Sequence, residues 1–337
     1  MIKLGLDVHA EQITVSRQDG GLLPKPSRRM SWVELPRLVQ ALLAGGAKVF
    51  TCYEAGPCGY GLHRMLTALG AVNLVVVPRR WDEQGKRVKT DKRDARELCD
   101  RLDRYLRGNP AVFSLVRVPT PEQEQRRALG RQRGMLLKEK QRCVVRGHGL
   151  MLAQGIHAPA GWWEPKHWPP FQLELPGWLR AQVQDWQRKA VELAEDVEQW
   201  GGKVEQAAGP QRWPKGLGAL TAALLDAEVL DWHRFRNRRQ VASYTGLCPS
   251  EKSSGNSRQQ GAVNKHGNAR LRHLLVEAIW RMMHLQPGYP PVGPLRAALG
   301  ARQRKRWAVA AARRLAIDLW RLKTGQCTAE KLGLILA

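Results

Sequence analysis

The sequence predicts an α/β domain followed by a mainly helical region. Three observations predict it. Strand-like and helix-like runs alternate over the first third of the chain, two prolines close that third, and the residues beyond are helical in pattern and dense in arginine and lysine. Short strands alternating with helices imply one sheet covered by helices.

The elements follow in order. Residues 2–8 (IKLGLDV) read as a strand, with residues 12–17 as its hairpin partner. Residues 31–43 place Trp32, Leu35, Leu38, Val39, Leu42 and Leu43 at helical spacing. Ser31 stands as N-cap with Glu34 three residues on, the reciprocal capping arrangement, and Gly45 and Gly46 end the helix. Residues 48–53 form a second strand, residues 62–69 a helix, and residues 72–77 (VNLVVV) a buried strand stopped by Pro78. Thr90 then caps a helix reaching Leu106.

Pro119 and Pro121 mark a boundary. Residues 122–155 turn helical and basic, with Arg126, Arg127, Arg131, Arg133, Lys138, Lys140, Arg142 and Arg146. A tip follows (GWWEPKHWPP), and residues 179–208 read as the return arm. Two long helices joined by a tip make an antiparallel hairpin able to pair as a coiled coil. The tip tryptophans read as packing in preference to a base-stacking platform. A third region opens at Pro214. PKGLGALTAALL is a glycine turn entering an Ala/Leu helix, like one half of a helix-hairpin-helix whose turn amides hold phosphate. The basic run RFRNRR, a helix-like VASYTG, a polar stretch and a basic closing helix over residues 303–323 complete the chain. The expected domains are 1–118, 119–210 and 211–337.

Lys and Arg number 55 against 30 Asp and Glu, a net charge of +25, which points to a polyanionic partner. Nucleic acid is the commonest one. No apolar run approaches the ~18 residues of a membrane span, and the N-terminus lacks a signal-peptide pattern, so a cytoplasmic protein without a membrane partner is expected. The six cysteines form no CxxC pair and no zinc spacing with histidine, and read as reduced, packed thiols.

Four acids stand where chemistry is built. Asp7 ends the first strand, Glu54 ends a later one, and Asp91 and Asp94 open a helix one turn apart, on the same helix face. Gathered together, carboxylates repel unless a cation neutralises them. Mg²⁺ or Mn²⁺ accepts such oxygen ligands and serves phosphodiester chemistry. Taken singly, each acid is equally a turn or helix-start residue.

Ser253, Ser254 and Gly255 form a polar loop among Lys252, Arg258, Lys265, Arg270 and Arg272, with Arg234, Arg236, Arg238 and Arg239 upstream. A serine ringed by cations can reach a phosphodiester, and the cations stabilise the charge that develops there. The plainer alternative is a loop whose cations only grip phosphate.

Several stretches carry a resemblance over nearly the whole chain: GLDVHA, CYEAGPCGYGLHRML, VVPRRWDEQGKRVKTDKRDARELCDRL, PTPEQEQRR, PKGLGALTAALL and VASYTGLCPSEKSSGNSRQQGAVNKHGNARLRHLL. They resemble the DEDD transposases of the insertion-sequence one-ten family, bridge-RNA-guided recombinases related to the Piv invertases. The resemblance implies an N-terminal RNase H/RuvC-like domain whose metal ligands are Asp7, Glu54, Asp91 and Asp94. It implies a C-terminal domain whose nucleophile is Ser253, with Ser254 the adjacent alternative. It further implies a covalent phosphoserine intermediate, donor and target DNA, a structured non-coding guide RNA, a dimer or tetramer, and a prokaryotic protein that joins the nucleoid when acting. Two alternatives stay open on the residues alone: a RuvC-like metal-dependent nuclease working through the carboxylates only, and a non-catalytic basic nucleic-acid binder.

Overall fold

The computed structural model describes residues 1–78, 90–254 and 257–337. It divides into two compact units, Met1–Val118 and Pro119–Ala337.

The first unit is built on a five-stranded mixed sheet in the order β3-β2-β1-β4-β5. β1 (Ile2–Val8), β2 (Ile13–Asp19) and β3 (Arg28–Met30) are antiparallel, while β4 (Val49–Glu54) and β5 (Val72–Val76) run parallel to β1. Alternation along the strands sorts side chains to two faces. Ile2, Leu4, Leu6, Ile13, Val15, Val49, Tyr53 and Val75 pack beneath α1 (Glu34–Ala44) and α2 (Gly61–Ala68), where Leu35, Val39, Leu62 and Leu66 complete that core. Phe50, Cys52 and Val76 face the other way, against Leu98 and Leu102 of α3 (Asp91–Leu106).

The descent of α3 onto β1 needs Gly5. A Cβ there would stand 2.2 Å from the Ala95 carbonyl oxygen and 2.4 Å from the Cys99 nitrogen, so helix backbone occupies the space a side chain would take. The same face of β1 and β2 is polar: Lys3, Thr14, Ser16 and Gln18 are buried there. Lys3 forms an ion pair with Asp103, and Arg107 reaches the same carboxylate at 2.9 Å. Burial alone would raise the Asp103 carboxyl, but the Lys3 bond, and then Arg107, hold it below its usual range. At the other end, the Ser27 hydroxyl donates to the Lys92 carbonyl at 2.8 Å and pins the start of α3.

Several expected boundaries move. The Ser31–Glu34 pair forms: the Ser31 amide donates to Glu34 Oε2 at 2.6 Å and the Glu34 amide meets Ser31 Oγ at 3.2 Å, one turn ahead of the regular helix. Thr90 occupies the N-cap of α3, but its hydroxyl makes no capping bond; its carbonyl accepts from Arg93 and Asp94 instead.

The second unit begins with α4 (Pro121–Leu152), opened by a full capping box between Thr120 and Gln123. α4 packs along α6 (Gly177–Ala208) as a helical hairpin. At its tip, Trp162, Trp168 of α5 (Trp168–Phe171) and Phe171 are buried with Met151, Leu175, Leu179 and Val183. Trp162 lies so close to Gly147 that a Cβ there would meet its ring at 2.5 Å. These tip aromatics are packing, not an open platform.

The rest is a helical core of α7 (Ala219–Val229), α8 (Arg238–Thr245), α9 (Ala269–Leu285), α10 (Gly293–Ala297), α11 (Ala301–Lys323) and α12 (Ala329–Leu332). In the turn entering α7, the Lys215 amide bonds to the Ile335 carbonyl and the Leu217 amide to the Pro214 carbonyl. Gly216 (φ 96°) rests against Met282. The Lys215 and Leu217 amides are therefore committed within the chain. Among the described residues no helix is long and apolar enough to cross a membrane.

Gly5→Ala is expected to destabilise the protein by about 3 kcal/mol, the upper range for forcing volume into a packed contact. Urea denaturation measures it; a loss under ~0.5 kcal/mol, typical of an innocuous surface change, would mean that α3 does not rest on β1.

Candidate active site

The first group of interest lies at one end of the sheet in the first unit. The parallel register pairs Leu6 with Tyr53, so the next rung sets Asp7 of β1 beside Glu54 of β4. Both belong to the face that α3 covers, because Gly5 and Cys52 of the same alternation contact that helix. Along α3, the row Asp91–Ala95–Cys99–Asp103 follows β1, and the row Asp94–Leu98–Leu102 follows β4. Asp91 and Asp94 therefore open the helix at the sheet end that carries Asp7 and Glu54.

The contacts at this end are specific. One ligand atom each from Asp7, His9 and Asp91 lies within 4.8 Å of the others, a group that could hold a metal ion. His9 Nε2 is 3.1 Å from Asp7 Oδ2 and 3.8 Å from Asp91 Oδ1. Arg29 Nη2 stands 3.7 Å from the second Asp91 oxygen. The turn that carries His9 is held by the Trp32 indole, which donates to the carbonyls of His9 (3.2 Å) and Ala10 (3.0 Å). The Asp7 side chain is 22% exposed and that of Asp91 38%, so the group is open to a ligand.

The second group lies in the second unit. The expected loop at Ser253 is instead a two-stranded antiparallel hairpin, β6 (Pro249–Ser254) and β7 (Ser257–Val263), in which Ser253 pairs with Arg258 and Ser254 with Ser257. Gly255 lies outside the described residues, as do the side chains of Lys252, Ser253, Ser254 and Arg258. The sequence hides this hairpin because both its faces are polar, which leaves no apolar alternation to read.

The basic residues divide by role. Arg236, Arg238, Arg239, Lys265 and Arg270 are exposed. Arg234 is part of the packing, stacked over Tyr244 at 4.1 Å and Phe235 at 4.7 Å. Arg272 binds the roots of the hairpin together, donating to the carbonyls of Thr245 (3.2 Å) and Lys265 (3.3 Å).

Comparison with known proteins connects the two units. Residues 214–290 match the profile described as "Transposase IS116/IS110/IS902 family". The protein y4rJ of Sinorhizobium fredii, described as a transposase, is 35% identical over 285 residues, covering 76% of this chain and 71% of the relative. The chain belongs to the IS116/IS110/IS902 family of transposases. A second Sinorhizobium fredii protein described as a transposase, y4qE, is 32% identical over 264 residues, and the chain spans 63% of its length. The transposase for insertion sequence element IS1111A of Coxiella burnetii is 26% identical over 325 residues, covering 90% of this transposase and 84% of the relative.

Two features of the transposase escaped the sequence reading. His9 belongs to the acidic group, yet only the arrival of α3 from 82 residues away brings Asp91 beside it. The signal available was its place two residues after Asp7. The other is Glu228, a carboxylate buried to 6% exposure near the end of α7, two residues after Asp226. An acid closing a largely apolar run was the clue.

Oxygen donors with one imidazole suit a hard or borderline divalent cation. Asp7→Asn is expected to weaken Mn²⁺ binding by ~10-fold or more, the scale on which metal sites respond to altered ligand shells. Titration followed by the Mn²⁺ electron paramagnetic resonance signal reads it, with the exposed Asp185→Asn as control. Equal affinities for both variants would remove the metal from this group.

Proposed function

We propose that this transposase cuts and rejoins DNA with two chemical centres: a divalent-metal site held by Asp7, Glu54, Asp91 and Asp94, and a nucleophilic serine, Ser253 or its neighbour Ser254. The observation that carries the proposal is the meeting of Asp7 and Asp91 at the end of the sheet, with Glu54 and Asp94 on the same face. A mixed sheet with acids at its strand ends and at the start of a covering helix supports an RNase H/RuvC-like reading of the first unit. Mg²⁺ or Mn²⁺ at such a site would activate an attacking oxygen and stabilise a leaving one.

In the serine step, the Oγ–phosphorus bond forms while the phosphorus bond to one deoxyribose oxygen breaks. The serine proton departs and the leaving oxygen gains one. Attack by the hydroxyl of the other DNA end on the phosphoserine reverses these changes and releases the serine. The exposed cations Arg236, Arg238, Arg239, Lys265 and Arg270 support backbone contact by charge, as Lys252, Arg258, Arg234 and Arg272 would around the hairpin and its roots. A guide RNA that pairs with donor and target would place sequence choice in base pairing, leaving the protein to grip backbone shape. The +25 charge supports a large polyanionic load of this kind. Bringing two DNA sites together requires a homo-oligomer, and the α4–α6 hairpin is the element suited to build it.

The test is covalent trapping. Transposase is incubated with end-labelled donor DNA, the RNA transcribed beside its gene, and Mg²⁺, then denatured and resolved on a gel. The expected result is a protein–DNA adduct that is lost in Ser253→Ala and in Asp7→Ala while DNA binding remains. Full recombination by a Ser253→Ala, Ser254→Ala double variant would remove the serine, and metal-dependent hydrolysis without an adduct would favour a nuclease that uses the carboxylates alone.

A further inference from the structure

The hairpin that carries Ser253 has two roots, one leaving α8 and one entering α9, and they are fastened to each other. The Asn268 amide donates to the Tyr244 carbonyl at 2.8 Å, and the Asn264 amide to the Cys248 carbonyl at 2.9 Å. At Gly267 a Cβ would stand 2.4 Å from the Gly246 nitrogen, so the roots cross in backbone contact. Gly246 itself is left-handed, with φ 65°.

Both roots end on one residue of α7. The Asn268 side-chain amide donates to Glu228 Oε2 at 2.8 Å, and the Tyr244 hydroxyl donates to the Glu228 backbone carbonyl at 2.8 Å. α4 approaches the same carboxylate, with Arg127 Nη2 at 3.7 Å and Arg131 Nε at 3.8 Å. The Glu228 side chain is 8% exposed and that of Arg127 17%, so water screens this pair poorly, while Arg131 reaches in from a half-exposed position. A buried carboxylate persists only where cations and donors compensate it, and here the compensating groups come from the arm helix and from the start of α9.

We propose that Glu228 is a positioning residue that couples the arm helix α4 to the roots of the serine hairpin, so that attack by Ser253 depends on the Glu228–Asn268 bond. The inference rests on the serine reading given above. Glu228 touches no reacting atom in this account. It fixes where the hairpin stands relative to α4, and a displacement near 1 Å at a nucleophile costs about 10²-fold in rate.

The test separates this role from ordinary structural support. Asn268→Ser keeps a side-chain oxygen to cap α9, since serine caps as well as asparagine, but deletes the amide that reaches Glu228. Glu228→Gln keeps an acceptor for Asn268 while giving up the charge that faces the arginines. With end-labelled donor DNA, the flanking RNA and Mg²⁺, the rate of adduct formation at saturating DNA is measured beside DNA affinity and melting temperature.

For Asn268→Ser the expected result is an adduct rate lowered roughly 10- to 100-fold, with affinity unchanged and the melting temperature lowered only by the loss of one buried donor, so that the protein remains folded at the assay temperature. Glu228→Gln is expected to stay closer to the wild type than Asn268→Ser, as conservative rescue. Wild-type adduct formation by Asn268→Ser overturns the inference and leaves the serine reading standing. A fall in affinity or melting temperature with an unchanged saturated rate also overturns it, because Asn268 would then only support the fold. No adduct from the wild type overturns both readings together.

Discussion

The close packing of α3 on β1 is the constraint on which the acidic site depends. Gly5 removes the side chain that would hold the helix away, and the Lys3–Asp103 pair fixes the far end of the same contact. With those two points set, the direction of α3 is set, and Asp91 must arrive beside Asp7. The arrangement carries tension: Lys3 and Asp103 are both buried, and removing one partner of a buried pair costs about 3–5 kcal/mol. Repulsion among the acids at the open end works against the fold unless a cation arrives. Stability is thus concentrated at one end of α3 and chemical potential at the other.

The second unit follows a similar plan with different parts. A polar hairpin has no apolar face of its own, and two paired strands alone are marginally stable in water. Its order comes from its roots. Crossed backbones at Gly246 and Gly267, the Arg272 guanidinium and the Glu228 carboxylate hold it to a largely apolar helical core. In both units a close backbone contact that admits only glycine stands next to a buried carboxylate, and the exposed chemistry lies one short segment away.

Local pattern made much of this legible. Strand-like runs located β1, β2, β4 and β5, helix-like runs and their caps located α1, α2, α3, α4 and α6, and the prolines at 119 and 121 stand at the junction of the two units. Asp7, Glu54, Asp91 and Asp94 were conspicuous because each sits at the end of an element, where side chains are free to converge. What stayed hidden depends on distant partners. His9 gains its neighbour only after α3 docks, and the β6–β7 pairing is a backbone matter in a stretch polar on both sides. The turn before α7 has the glycine pattern of an open phosphate cradle, yet residues near the C-terminus take up its amide at Lys215. Periodicity reports which face of an element is buried, and it carries no information about which remote segment arrives there.

The most direct measurement is anomalous X-ray scattering at the manganese edge from crystals of the transposase soaked in Mn²⁺. The account predicts an anomalous peak between the carboxylates of Asp7 and Asp91, with Glu54 and Asp94 turned toward it. An ordered protein with no peak at that end of the sheet, or with manganese bound only elsewhere, would contradict it.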